Sequence, residues 1–137
     1  MERTFAIIKP DAVERRLTGA ILARVEGAGF TIRAMRMHHL TKEEAEGFYA
    51  VHRERDFFGG LTDFMASDPC VLLVLEAPDA ITKWRALMGP TDPAKAPPGT
   101  LRREFGVSIE RNATHGSDAS ETAAFELGYF FRGMELL

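Results

Sequence analysis

The chain has one cysteine, Cys70, in the apolar run Cys70-Val71-Leu72-Leu73-Val74-Leu75. One thiol cannot close an internal disulfide, so the fold must stand on its packing. A reducing compartment, the cytoplasm, is the expected setting. Positive charge is not in excess either. Seventeen Lys and Arg face twenty Asp and Glu, a formal net charge of −3. A dedicated nucleic-acid binder would carry a basic face, so no obligatory nucleic acid is expected. No apolar run approaches the ~20 residues of a membrane span. Met1-Glu2-Arg3-Thr4-Phe5 reads directly as strand and not as a charged-then-apolar leader, so no membrane partner is expected. Internal repeats and low-complexity tracts are lacking. So are the Gly-x-x-x-x-Gly-Lys-[Ser/Thr] phosphate loop and the His-Arg-Asp and Asp-Phe-Gly signatures.

The 137 residues, 45% of them apolar, suit one globular domain spanning 1–137. Thr4 to Lys9 reads as a strand stopped at Pro10-Asp11. Leu17 to Ala28 repeats apolar residues at three- and four-residue steps, a helix face, and Gly29 follows it. Phe30 to Leu40 alternates as a strand does. Thr41-Lys42-Glu43-Glu44 is a capping box opening a helix to about Val51. Phe57 to Met65 is a short helix, Cys70 to Leu75 a buried central strand, and Ala80 to Met88 a helix. Gly89 to Thr100 holds four of the seven prolines and reads as a long ordered loop. Val107 to Ile109 is a short strand candidate. Asp118 to Phe125 is a helix with Asp118 and Glu121 at capping-box spacing. With the helix from Thr41 set aside as an excursion, the order reduces to βαββαβ. That is a ferredoxin-like α+β fold: a four-stranded antiparallel sheet with helices on one face, plus the proline-rich loop insertion.

The stretch Asn112-Ala113-Thr114-His115-Gly116-Ser117-Asp118 carries the most chemistry. Gly116 allows a sharp bend and close approach of a ligand. A helix end just beyond would offer N–H groups to a phosphate. A neutral imidazole is a competent nucleophile when a partner holds its ring. Glu126 and Ser117 are candidates for that task. An isolated His-Gly is more commonly a surface turn. Arg85 near a helix end and Arg102 after the proline loop, with Thr91 inside that loop, suit phosphate oxygens; singly, such arginines are commonly solvated. Lys9 closes an apolar strand, where a lysine tends to face an anion. Phe57 and Phe58 are adjacent, so one is free to stack on a base, unless both are core or oligomer contacts.

Asn112-x-x-His115-Gly116-Ser117-Asp118 resembles the signature of the nucleoside diphosphate kinase family. The resemblance runs along nearly the whole chain, through Ile7-Ile8-Lys9-Pro10-Asp11-Ala12-Val13, Tyr49-x-x-His52, Phe57-Phe58-Gly59-Gly60-Leu61, Gly89-Pro90-Thr91-Asp92-Pro93-Ala94 and Pro98-Gly99-Thr100-Leu101-Arg102. It implies transfer of the terminal phosphate of a nucleoside triphosphate to a nucleoside diphosphate through a phosphohistidine at His115. Glu126 and Ser117 would orient His115, and Tyr49 would help position the site. Lys9 and Asn112 would hold the sugar hydroxyls and the reacting end of the phosphates. Arg85, Thr91 and Arg102 would hold the phosphate chain. Phe57 would stack on the base, with Leu61 and Ile109 completing an apolar slot. The implied cofactor is Mg2+ carried by the nucleotide, with water-mediated contact at Asp118, and the implied assembly is a homo-oligomer, a tetramer or a hexamer. Against these stand a ferredoxin-like RNA-binding module, which predicts a basic sheet face, and a catalytically silent regulatory relative, which would lack the histidine, lysine or arginines.

Overall fold

In the computed structural model, which describes residues 1–136, four strands form one antiparallel sheet. They are β1 (Glu2–Ile8), β2 (Thr31–His38), β3 (Cys70–Ala77) and β4 (Thr114–Gly116), in the order β2-β3-β1-β4. β1 pairs with β3 along its whole length, Glu2 opposite Ala77 and Ile8 opposite Val71. On its other side it pairs with β4 through Ala6–Gly116, Ile7–His115 and Ile8–Thr114. β2 and β3 pair with a register shift between Ile32 and Ala34.

Side chains of a strand alternate between faces, and both faces of β1 and β3 are apolar. Ala6, Ile8, Val71, Leu73 and Leu75 pack on one face beneath α2 (Thr18–Gly27) and α5 (Ala80–Met88). Phe5, Ile7, Cys70, Leu72 and Val74 pack on the other, beneath α3 (Lys42–Phe48) and α4 (Phe58–Met65). α7 (Ser120–Phe130) adds Leu127, Tyr129 and Phe130 to that second core. The ferredoxin-like order is as expected. The expectation of helices on one face is corrected: the segments between β2 and β3 and after β4 cover the second face. That double burial explains why β3 reads as an unbroken apolar run.

Several local expectations need correction. The first strand ends at Ile8, and Lys9 is the N-cap of a one-turn helix, α1 (Pro10–Glu14), with Pro10 in its favoured first position. The capping box at Thr41 is present, with Thr41 Oγ1 accepting the Glu44 N–H and Glu44 Oε1 accepting the Thr41 N–H. Val107 to Ile109 is not a strand but part of a turn, closed by the Val107 N–H donating to the Arg111 carbonyl at 2.8 Å. The last strand is instead the three residues centred on His115, too short and too polar to show alternation. The final helix starts at Ser120, and Asp118 does not cap it. Thr122 Oγ1 accepts the N–H groups of Asp118 and Ala119, while the Asp118 carboxylate turns to Arg85. The proline segment contains a short 3-10 turn, Pro93–Lys95, and is followed by α6 (Leu101–Phe105).

Candidate active site

β4 sets the histidine. His115 lies opposite Ile7 and so faces the second core, where its ring is 5.3 Å from Phe48, 6.1 Å from Tyr49 and 6.2 Å from Phe5. Behind the ring, Nε2 meets Glu126 Oε1 at 3.0 Å, and Ser117 Oγ donates to the same oxygen at 2.8 Å. A carboxylate oxygen in these contacts only accepts, so Nε2 carries the proton and Nδ1 keeps the free lone pair. The carboxylate also stands ready to stabilise a cationic ring. The His115 and Glu126 side chains are 21% and 13% exposed, close enough to dry for that charge to matter.

Gly116 has a different reason from the one expected. It is not a bend but a strand residue, and a Cβ there would lie 2.4 Å from Trp84 Cδ1. Only glycine lets β4 lie flush on α5, where Trp84 Nε1 donates to the His115 carbonyl at 3.2 Å. Nor does His115 stand at a helix N-terminus, because α7 begins five residues later. The positive field comes from side chains instead.

Those side chains converge on a cleft of about 430 Å3 lined by His115. Lys9 enters from the β1 end, buried, its Nζ donating to the Glu110 carbonyl at 2.7 Å and to Asn112 Oδ1 at 2.9 Å. Burial is the main cause that lowers its pKa to about 8; Asp11 opposes that and Arg102 adds to it. Asn112 is fixed by donating Nδ2 to the Thr91 carbonyl at 3.0 Å, which ties the proline segment to the site. Arg102, on α6, spends two nitrogens on the Gly89 and Thr114 carbonyls at 3.0 and 2.8 Å, while its buried Nε has no protein partner. Burial first, then the neighbouring Arg85, lower its pKa to about 10; Asp118 opposes them. It stays cationic at neutral pH. Arg85, from the last turn of α5, is held by Asp118 at 2.6 Å.

The opposite end is apolar and open. Phe57 caps α4 and is 51% exposed, whereas Phe58 packs on the second core, so one of the adjacent phenylalanines is free as expected. Leu61 lies one turn further along α4, and Ile109 stands 62% exposed on the turn across the cleft. Tyr49 lines the wall next to His115 with its hydroxyl pushed up in pKa by burial, and therefore neutral. Thus Lys9, Tyr49, Phe57, Leu61, Arg85 and Thr91 all reach the cleft, as do Arg102, Ile109, Asn112 and Asp118; Glu126 and Ser117 stand behind His115. Two further lining residues carry no assigned role: His52 is part of the Tyr49-x-x-His52 motif, and Glu110 is not among the residues singled out. His52 lies 5.5 Å from the Phe57 ring, and Glu110 supplies the carbonyl that seats Lys9. Glu110 has no sequence signal beyond nearness to Asn112.

A proton-directed histidine beside three cations and an open aromatic shelf, on a ferredoxin-like frame, is an arrangement chemically suited to a phosphorylated ligand with a flat apolar part. A nucleoside diphosphate kinase family model matches residues 2–136. The nucleoside diphosphate kinase of Desulfovibrio desulfuricans is 62% identical over 136 residues, 99% of this chain and 98% of that protein. That of Pelobacter propionicus is 61% identical over the whole of both chains. A crystal structure of the Aquifex aeolicus nucleoside diphosphate kinase superposes with a TM-score of 0.95 at 46% identity, covering 98% of this chain and 97% of that one. The chain belongs to the nucleoside diphosphate kinase family and is a phosphotransferase. That membership favours the nucleotide reading over an RNA-binding module or a silent relative. Among the described residues no helix is long and apolar enough to cross a membrane.

Proposed function

We propose that His115 Nδ1 carries the terminal phosphate from a nucleoside triphosphate to a nucleoside diphosphate, one site serving both half-reactions. The observation that supports this most directly is the Glu126 contact at Nε2, which leaves Nδ1 as the nucleophilic nitrogen of a residue lining the cleft. In the first half-reaction the Nδ1–P bond forms as the bond to the bridging oxygen breaks, and the diphosphate leaves. The ring becomes cationic with its Nε2 proton held by Glu126. In the second, a terminal oxygen of another diphosphate attacks the phosphorus and Nδ1 regains its lone pair.

Transfer of this kind runs through a loose, in-line transition state with charge on the phosphoryl oxygens. The protein's task is alignment and neutralisation. Arg102 and Arg85 hold the phosphate chain beside Thr91. Lys9 and Asn112 hold the reacting end and the sugar hydroxyls. Phe57 stacks on the base with Leu61 and Ile109, a clamp made of apolar surface that suits several bases.

The described residues hold no group of three or more His, Cys, Asp or Glu able to cage a metal. Asp118 and Glu110 are the carboxylates on the cleft, and Asp118 is already paired with Arg85. Such a site fits Mg2+ that arrives on the nucleotide, since Mg2+ keeps waters and binds through substrate phosphates with few protein ligands. Asp118 would meet its water shell. Bound there, the ion supplies charge neutralisation on the phosphate oxygens.

Self-association is part of the reading. β2 is an edge strand of the sheet, and Met35 and Met37 stand 55% and 57% exposed on one face of it. An edge flanked by apolar side chains suits pairing with a second copy, and the tetramer or hexamer expectation is checked by sedimentation. A cytoplasmic setting agrees with the buried, free Cys70.

Steady-state kinetics with ATP and varied diphosphate test the reading. Parallel double-reciprocal lines are expected from a covalent intermediate. Intersecting lines would require both nucleotides on the protein at once and would overturn it.

A further inference from the structure

Ala113, which with Thr114 separates Asn112 from His115, is fully buried with φ +73°. A side chain in that left-handed region is strained. The Thr114 N–H donates to the Asn112 carbonyl at 2.9 Å, so the three residues form a γ-turn of the rare, positive-φ hand. Strained backbone persists where its surroundings hold it from several sides. Here both backbone groups of the central residue are held. The Ala113 carbonyl accepts the Lys9 N–H at 2.8 Å, and the Ala113 N–H donates to Asp11 Oδ2 at 3.1 Å.

Asp11 is 3% exposed, on the first turn of α1, and its second oxygen, Oδ1, has no protein partner. A buried carboxylate left half satisfied is costly. It is placed where its one bonded oxygen holds the N–H of the turn's central residue. The turn in turn sets three functional groups. Asn112 on one side seats Lys9 Nζ and ties down Thr91. The Thr114 carbonyl on the other holds Arg102, and His115 follows.

We propose that Asp11 is a positioning residue for phosphoryl transfer, clamping the strained γ-turn at Ala113 so that Lys9, Asn112 and His115 converge on one phosphorus. It touches no substrate and acts through the turn. Its burial raises its pKa while the charge of Lys9 opposes that rise, so the carboxylate and the lysine are electrically coupled across the same turn. The proposal rests on the phosphohistidine reading above.

The test is single-turnover phosphorylation of the protein by ATP and Mg2+, with nucleotide affinity and melting temperature measured alongside. In Asp11→Ala, or Asp11→Leu where alanine leaves the chain unfolded, the saturating rate should fall about 30-fold, the scale on which sub-ångström misplacement acts. Affinity for ADP should fall by less than the rate does, because the apolar base clamp lies at the other end of the cleft. Asp11→Asn keeps an acceptor oxygen and should stay within about fivefold of the unaltered protein. Adding Ala113→Gly to the alanine variant lets the turn take positive φ without strain and should recover about fivefold of the lost rate. A merely structural aspartate would lower the melting temperature and leave the rate of the folded fraction alone. An alanine or leucine variant that phosphorylates normally would overturn the proposal. An asparagine variant as slow as alanine would overturn it too, since charge and not the hydrogen bond would then be at work. Absence of any phosphoenzyme on the unaltered protein would instead sink the phosphohistidine reading itself.

Discussion

At the proposed phosphate end of the cleft Lys9 and Asn112 are 5% and 3% exposed, and Lys9, Arg102 and Arg85 are each held by a named partner; at the proposed base end Phe57 and Ile109 are 51% and 62% exposed. The first end is made of strand ends and backbone carbonyls, the second of a helix cap and a turn tip. Phosphoryl transfer tolerates little misplacement, so Lys9, Asn112 and Arg102 are fixed by close protein partners, while Arg85, exposed at the rim, is held by Asp118. Stacking on a base needs only a flat apolar surface, so it is left open and adaptable. The cost of the first arrangement is visible: a positive-φ alanine, worth about 1–3 kcal/mol of strain, and a half-satisfied buried aspartate.

Substitutions at the two ends should therefore differ in kind as well as size. The largest effect belongs to His115→Ala. Removing the proposed nucleophile should cut turnover at least ~10⁴-fold while leaving a folded protein, since the cores on both faces of the sheet are built from other side chains. Retained transfer in a folded variant would break the account of the buried end. Next comes Arg102→Ala. Losing a charge aimed at the transferring group should cost about 10²–10³-fold in kcat. Two carbonyls lose a partner as well, at about 1–3 kcal/mol in stability. A large drop in melting temperature with little kinetic loss would assign Arg102 to the fold alone.

A third prediction separates activity from stability by pH. Lys9 has its folded pKa lowered from 10.5 to about 8. Between those values the unfolded chain binds the extra proton, so the lysine's burial cost is relieved and its contribution to stability rises with pH. Activity goes the other way. Neutral Lys9 no longer attracts phosphate, so kcat/KM should fall about tenfold per pH unit above about 8. A pH profile flat to pH 10 would remove Lys9 from the transition-state field. The smallest effect is at the open end. Phe57→Ala should raise KM about tenfold with kcat nearly kept, by loss of one stacking contact, and Phe57→Trp should restore it for purines and pyrimidines alike.

How much of this was legible beforehand follows the same division. The long apolar runs of β1 and β3, the periodic faces of α2 and α5, and the capping box at Thr41 are local signals, and they placed the frame. His115 stood out through its neighbours in sequence. β4 was illegible because three residues cannot show a period, and its pairing with Ile7 is a tertiary fact. The turn at 107–111 passes for a strand because Val107 and Ile109 alternate, yet both are exposed and Ile109 lines the cleft. Gly116 was singled out correctly but for a different reason: the demand comes from Trp84, thirty-two positions away in the chain. Asp11 looked like a strand stop, and only the fold brings it to Ala113.

The central claim is that phosphate rests on His115 Nδ1 between two nucleotides. Incubating the protein with γ-labelled ATP and Mg2+, without acceptor, and locating the label decides it directly. The account predicts acid-labile, base-stable label on Nδ1 of His115, discharged when a different nucleoside diphosphate is added. Label on Nε2 would contradict the role given to Glu126, and unlabelled protein that is folded and binds nucleotide would contradict the covalent mechanism altogether.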